Sequence, residues 1–261
     1  MKTTGQASRE GAGLRGKAAA SDAAPRPTEH DRVYQVLRQR VLTGGFLPGR
    51  PVTLRGMATQ LGAGVMPVRE AVRRLIAERA LELQDNKRVC VPAMTEGKFG
   101  EIAFARARLE AELAVRAQSH FDSAALSEID EIDQRMERAR IAGDIENYMR
   151  GDTEFHFAIY QRARAPTLLA LTESVWLQLA PFMRMIYGRL GTASLSSGHH
   201  LILQALRPGN PVGLSDAIIA DVKDGMRLTG ELAFDHAGQQ AAPVYARKPP
   251  RKAKPSPRTA P

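Results

Sequence analysis

Thr53-Leu54-Arg55-Gly56-Met57-Ala58-Thr59-Gln60-Leu61-Gly62-Ala63-Gly64-Val65-Met66-Pro67-Val68-Arg69-Glu70-Ala71-Val72-Arg73-Arg74-Leu75-Ile76 is the stretch that decides the fold. Thr53 is placed to cap a helix whose Leu54, Met57, Ala58 and Leu61 recur at i, i+3, i+4 and i+7, a single apolar stripe. Gly62-Ala63-Gly64 then forces a tight turn, because glycine reaches backbone angles closed to other residues. The next helix is expected to begin near Pro67, where a missing N–H is harmless, and to run to about Glu78. Val68, Ala71, Val72, Leu75 and Ile76 make its buried stripe. Arg69 and Arg73, one turn apart, are left facing solvent, with Met66 at the tip.

Working outward, Val33, Val36, Leu37 and Val41 mark one face of a preceding helix, which Gly44-Gly45 and Pro48-Gly49 end. On the other side, Leu81 and Leu83, then Val89 and Val91, alternate around Asp85-Asn86-Lys87. That pattern predicts a β-hairpin with a polar, cationic tip. Helix, helix, turn, helix, hairpin is the order of a winged helix-turn-helix, assigned to 29–93. In such a unit the exposed face of the third helix enters the major groove, and an arginine fork matches the two acceptors of guanine. Lys87 and Arg88 at the hairpin tip would reach backbone phosphate or a minor groove. Two arginines on a helix are by themselves an ordinary solvated face; their place between a helix-turn and a hairpin reverses that reading.

Residues 95–237 read as helical throughout, with patterns over about 95–120, 123–142, 145–164, 166–190, 197–206 and 211–236. Asn210-Pro211 supplies a cap and then a first-turn proline. Short connections make neighbours antiparallel, so a helical bundle is expected. The fold class is mostly α: an N-terminal winged helix-turn-helix with a small β-hairpin, then an all-α bundle.

With 261 residues, a net charge of +9 and 5% aromatic residues, the chain has room for two cores built on Leu, Ala, Val and Ile. The positive charge points to a polyanionic partner, although much of it crowds the ends. Residues 1–28 read as a disordered leader and 238–261 as a disordered basic tail, the latter holding Arg247, Lys248, Arg251, Lys252, Lys254 and Arg258. The single cysteine, Cys90, excludes an internal disulfide and reads as a small buried hydrophobe. No signal peptide or membrane span is read, so a cytoplasmic protein is expected.

Pro48-Gly49-Arg50, Met57-Ala58-Thr59-Gln60-Leu61-Gly62 and Met66-Pro67-Val68-Arg69-Glu70-Ala71-Val72-Arg73-Arg74-Leu75 together resemble the winged helix-turn-helix of the GntR family, through Asn86-Lys87-Arg88. The resemblance places DNA-contacting arginines at Arg55 and Arg69 and a wing contact near Lys87 or Arg88. There are departures. Gly64-Val65-Met66 stands where the family usually has Ser-Arg-Thr, so one customary arginine is missing, and Arg79 and Arg88 replace two customary glycines. Operator preference is therefore expected to differ from that of relatives.

The helical region resembles the FCD-type effector domain of the FadR-like branch. Arg106 with Leu109-Glu110 matches an Arg-x-x-Leu-Glu pattern that faces the ligand cavity in such domains. Asp152 and His156 share one helix face; by spacing alone they read as a surface polar pair. The resemblance implies more, since metal-binding members place ligands at Asp152, His156 and His199. Their fourth ligand, normally histidine, falls on Asp221. His200 is an alternative to His199, which keeps the register of the following residues better. His30, His120 and His236 read as surface residues.

These readings combine into a non-enzymatic, ligand-responsive regulator. It would bind double-stranded DNA at a palindromic operator as a homodimer, and sense a small carboxylate, an organic or sugar acid. A divalent ion (zinc, nickel, manganese or magnesium) would sit at Asp152, His156, His199 and Asp221. A metal-dependent hydrolase or lyase is the rival from another class, since Asp and His ligands also suit activated water. It leaves the DNA-binding unit unexplained.

Overall fold

The computed structural model describes residues 28–195, 198–207 and 209–234. The expected leader up to residue 27 and the expected basic tail lie outside the described residues. Thr28, the last residue of that leader, caps α1 (Glu29–Leu42), and its partner Asp31 completes a capping box. α2 (Leu54–Leu61) is capped by Thr53 and closed by Gly62 in the left-handed conformation. α3 runs Val65–Ala77, and a two-stranded antiparallel ribbon, β1 (Glu82–Leu83) and β2 (Val89–Cys90), follows.

Three local expectations are corrected. α3 starts at Val65 rather than near Pro67, because Gly64 is already extended as its N-cap. Pro67 thus takes the third helical position, where the N–H would also lack a partner within the helix. Val36 is 37% exposed, and Tyr34 takes its place on the buried face of α1. Leu83 is 55% exposed while Leu81, Val89 and Val91 are buried. The ribbon is only two residues deep, and Val52 bridges to Val89 alone, so Leu83 lies past the cover of the core.

The larger unit comprises α4 (Glu96–Ala117), α5 (Ser123–Ala142), α6 (Ile145–Tyr160), α7 (Pro166–Leu190), α8 (His199–Leu206) and α9 (Pro211–Phe234). Side-chain caps start four of them: Thr95, Asp122, Asp144 and Asn210 each accept a first-turn N–H. α4 lies along α9 and α7, α5 along α6, and α8 against α5 and α9. Leu113, Ile129, Phe155, Ile159, Ile186, Ile202 and Ile218 are fully buried between them. Each such side chain contributes roughly 1.5–3 kcal/mol by leaving water. The winged unit rests on the bundle through α1 and the end of α3, both against α7, with α1 also touching α6.

Candidate DNA-reading face and candidate metal centre

On the winged unit, the apolar stripe of α3 (Val68, Ala71, Val72, Leu75) is buried against α1 and α2, which turns the opposite face to solvent. Met66 is 62% exposed at its first turn, and Arg69 and Arg73 are exposed one turn apart beyond it. Arg73 has only a long contact of 3.9 Å to Glu70, so its guanidinium is nearly unengaged. Arg55 is exposed on α2. In the wing, Gln84 N–H donates to the Arg88 carbonyl and Lys87 N–H to the Gln84 carbonyl, both at 2.8 Å. Lys87 closes this loop at φ +60°, and Lys87 and Arg88 are both exposed. The left-handed wing residue is thus Lys87, one before the position where a family glycine was expected. α2, α3 and the wing together present Arg55, Met66, Arg69, Arg73, Lys87 and Arg88 to solvent.

Inside the bundle, Tyr148, Asp152, His156 and Tyr160 follow one another at four-residue spacing along α6. His156 is 1% exposed and His199 of α8 is 1% exposed. His200 is exposed, so of the two neighbouring histidines His199 is the one inside. His30 and His120 are exposed as expected, and His236 lies outside the described residues.

The hydrogen-bond network assigns the ring nitrogens. The Tyr160 hydroxyl donates to Glu110 Oε2 at 2.8 Å, so it must accept from His156 Nδ1 at 3.0 Å. That leaves His156 Nε2 pointing at Asp221 Oδ2, 3.3 Å away, and Asp152 Oδ1, 3.9 Å away. His199 Nδ1 is 2.9 Å from Asp133 Oδ1, and its Nε2 is buried with no hydrogen-bond partner, 3.7 Å from Asp152 Oδ1. Phe155 stacks on the His199 ring at 3.8 Å and fixes its plane. One ligand atom each from Asp152, His156 and His199 therefore lies within 4.8 Å of the others. Asp221 stands beside this set rather than in it; its Oδ1 accepts from Gly198 N–H at 2.9 Å and its Oδ2 faces His156.

The donor set fits a divalent ion. Two imidazoles turn their Nε2 atoms to one point, their Nδ1 atoms are each tied back, and a buried nitrogen is orphaned at the centre. Imidazoles anchored through the far nitrogen are a general feature of metal sites. The electrostatics agree. Burial opposes ionisation of Asp221, yet His156, His199 and the Gly198 N–H outweigh it and hold the carboxyl below its ordinary value. Burial likewise opposes charge on His199, but Asp133, Asp152 and Asp221 push its pKa up to about 9.

Arg106 is 4% exposed and its fork is spent on Glu110, with Nε to Oε1 at 2.6 Å and Nη2 to Oε2 at 3.3 Å. Its Nη1 reaches only Met226 Sδ at 3.9 Å, and its guanidinium lies 4.4 Å from the Trp176 ring centroid. Burial works against its charge; Glu110 more than offsets that and keeps its pKa raised. Trp176 Nε1 also donates to Glu110, at 2.9 Å. Glu110 is thus the hub joining Arg106, Tyr160 and Trp176 beneath the histidines. Asp133, Tyr160 and Trp176 were not singled out from sequence. Tyr160 extends the four-residue ladder and was legible there; Asp133 carries no such signal.

A winged helix-turn-helix joined to a helical bundle that buries Arg106, Glu110, His156 and His199 in its core is the architecture of a DNA-binding regulator with a helical second domain. Residues 29–91 match the family described as bacterial regulatory proteins, gntR family, and residues 101–224 match the FCD domain. The chain belongs to the GntR family of transcriptional regulators, with an FCD effector domain. It is similar to the HTH-type transcriptional regulator McbR of Escherichia coli (strain K12), 28% identical over 70% of this chain and 84% of that protein. The solved structure of E. coli McbR/YncC superposes with a TM-score of 0.75 at 25% identity, covering 78% of this chain and 98% of that one. It is also similar to the "Probable D-xylose utilization operon transcriptional repressor" of Paenarthrobacter nicotinovorans, 25% identical over 71% of this chain and 82% of that protein. Among the described residues, no helix is long and apolar enough to cross a membrane.

Proposed function

We propose that this chain is a cytoplasmic, ligand-responsive transcriptional regulator that binds a palindromic operator as a homodimer. Its FCD domain holds a divalent ion at Asp152, His156 and His199, with Asp221 in reserve. The observation that carries this reading is the convergence of both histidine Nε2 atoms on Asp152, with His199 Nε2 buried and without a hydrogen-bond partner. An orphaned buried nitrogen costs about 1–3 kcal/mol, which an ion would recover. When bound, the ion supplies a positive pole for an anionic ligand.

Arg55, Met66, Arg69, Arg73, Lys87 and Arg88 form the DNA-reading face; their common exposure supports this. Effector recognition by Arg106 is narrowed, because Glu110 neutralises its charge. A small organic or sugar acid would therefore take its charge complement from the ion, with Arg106 offering Nη1 alone. Two imidazoles with two carboxylates nearby is a harder shell than one with a third histidine, which favours manganese, magnesium or iron relative to nickel or zinc. That the similar proteins are regulators supports a non-enzymatic role.

Metal analysis of chelator-free protein, with melting curves on added divalent ions, tests the centre. One ion per chain is expected, with a rise in melting temperature that His156→Ala loses and Asp221→Ala keeps in part. Equal shifts in native protein and His156→Ala would contradict the reading.

A further inference from the structure

Glu173, Ser174 and Trp176 sit within one turn of α7 and face two different places. Ser174 Oγ donates to the Glu78 carbonyl at 3.1 Å, and Glu78 is the C-cap of the recognition helix α3. Glu173 holds Arg38 of α1 at 3.2 Å. About three turns along the same face, Arg184 packs on Gly44, so closely that a Cβ there would lie 2.1 Å from its Cγ. Trp176 points the other way. Its Nε1 bonds Glu110, and its ring centroid is 5.3 Å from that of His156. Residues two apart on a helix lie on nearly opposite sides. α7 therefore runs between the candidate metal centre and the DNA-binding unit, while α6 also meets α1 directly. Pro181 lies inside α7, where it removes the N–H that would bond the Leu177 carbonyl. The helix is thereby weakened between its Ser174–Trp176 end and Arg184.

The junction also carries an unsatisfied group. Glu78 Oε1 accepts from the Tyr34 hydroxyl at 2.6 Å, while Oε2 is buried with no hydrogen-bond partner. Burial and Glu78 push the Tyr34 phenol up to about 12, and Arg38 acts on it in the opposite sense, so Arg38 lies within electrostatic reach of this pair as well as of Glu173. A buried oxygen lacking a donor is costly, and any small rearrangement that brings one relieves it.

We propose that Glu173 and Ser174 are positioning residues that seat the recognition helix, and that an ion at the Asp152–His156–His199 centre tightens this seat through Trp176 and α7. The proposal rests on the metal reading above. An ion that fixes the His156 ring restrains the Trp176 ring beside it, and restraint on one face of a single helix is felt on the other. Coupling of this kind between sites is commonly five-fold or more, and it is reciprocal.

Hydrogen exchange of the full chain with and without manganese alone tests it. Peptides over 152–160 and 199–206 report the centre, and peptides over 38–46 and 74–81 report the junction. Trp176, the only tryptophan, reports independently by fluorescence. In the native chain, manganese is expected to slow exchange at both places, by about five-fold or more at the junction. In a chain carrying Glu173→Gln and Ser174→Ala, the centre should stay protected and Trp176 fluorescence should still respond, while junction slowing is lost. Retention of junction slowing in that variant, or its absence in the native chain despite a protected centre, overturns the proposal. A centre that manganese neither protects nor alters by fluorescence removes the metal reading itself, and the relay with it.

Discussion

His199 concentrates the chemistry of the bundle in one side chain. Its pKa of about 9 in the ion-free protein stands above the ordinary 6.5, held there by Asp133, Asp152 and Asp221 against burial. A raised folded-state pKa contributes stability that is fully present below pH 6.5 and is lost as pH rises through 9. Ion-free protein should therefore melt at progressively lower temperature between those values, and His199→Gln should flatten the slope. Metal needs the neutral imidazole, so at pH 7 ion uptake should release about one proton per chain. Calorimetric titration in two buffers of different protonation enthalpy measures that number; a value near zero would mean that His199 is not a ligand. At this scale the sequence was partly legible. Asp152 and His156 share a helix face by spacing, but spacing alone read them as a surface pair, and only the family resemblance placed them in a site; Tyr160 extends the same ladder. Asp133 meets His199 across 66 residues, and no local pattern encodes such a contact. Arg106 and Glu110 were visible as a spacing of four, but their mutual neutralisation depends on burial, which spacing does not report.

Two elements of the winged unit end on residues in an unfavourable conformation. Arg79 after α3 and Lys87 in the wing both have φ +60°, where an L side chain costs about 1–2 kcal/mol. Arg79 also adds its charge to burial in lowering the Lys98 pKa. Arg79→Gly is expected to raise the melting temperature by roughly 2–4 °C without altering DNA affinity. Lys87→Gly should raise it similarly while weakening binding to all DNA sequences alike, because it removes a wing cation. Loss of stability in either variant would show that these side chains earn their place by packing. The helix-turn-helix was legible because caps, glycine turn and apolar stripes all point the same way. The start of α3 and the exposure of Leu83 were not, since the first turns on the backbone conformation of Gly64 and the second on where the short ribbon stops covering the core.

Across the whole molecule, element order and the two-unit plan were readable from periodicity, whereas the docking of one unit on the other was not. Arg38–Glu173, Ser174–Glu78 and Arg184–Gly44 join residues far apart in sequence, and none belongs to a motif. At this scale the chain is expected to sediment as a dimer, with half-sites about one helical turn apart on its operator. The most direct measurement of the central claim is selection of DNA from a random pool by the full chain, followed by binding isotherms at fixed salt. A palindromic sequence should be enriched. Arg69→Ala should lose about 1–3 kcal/mol on it and much less on scrambled DNA, if Arg69 forks onto guanine. Lys87→Ala should weaken both DNAs equally. A pool with no enriched sequence, or unchanged affinity of Arg69→Ala for the selected DNA, would contradict the account.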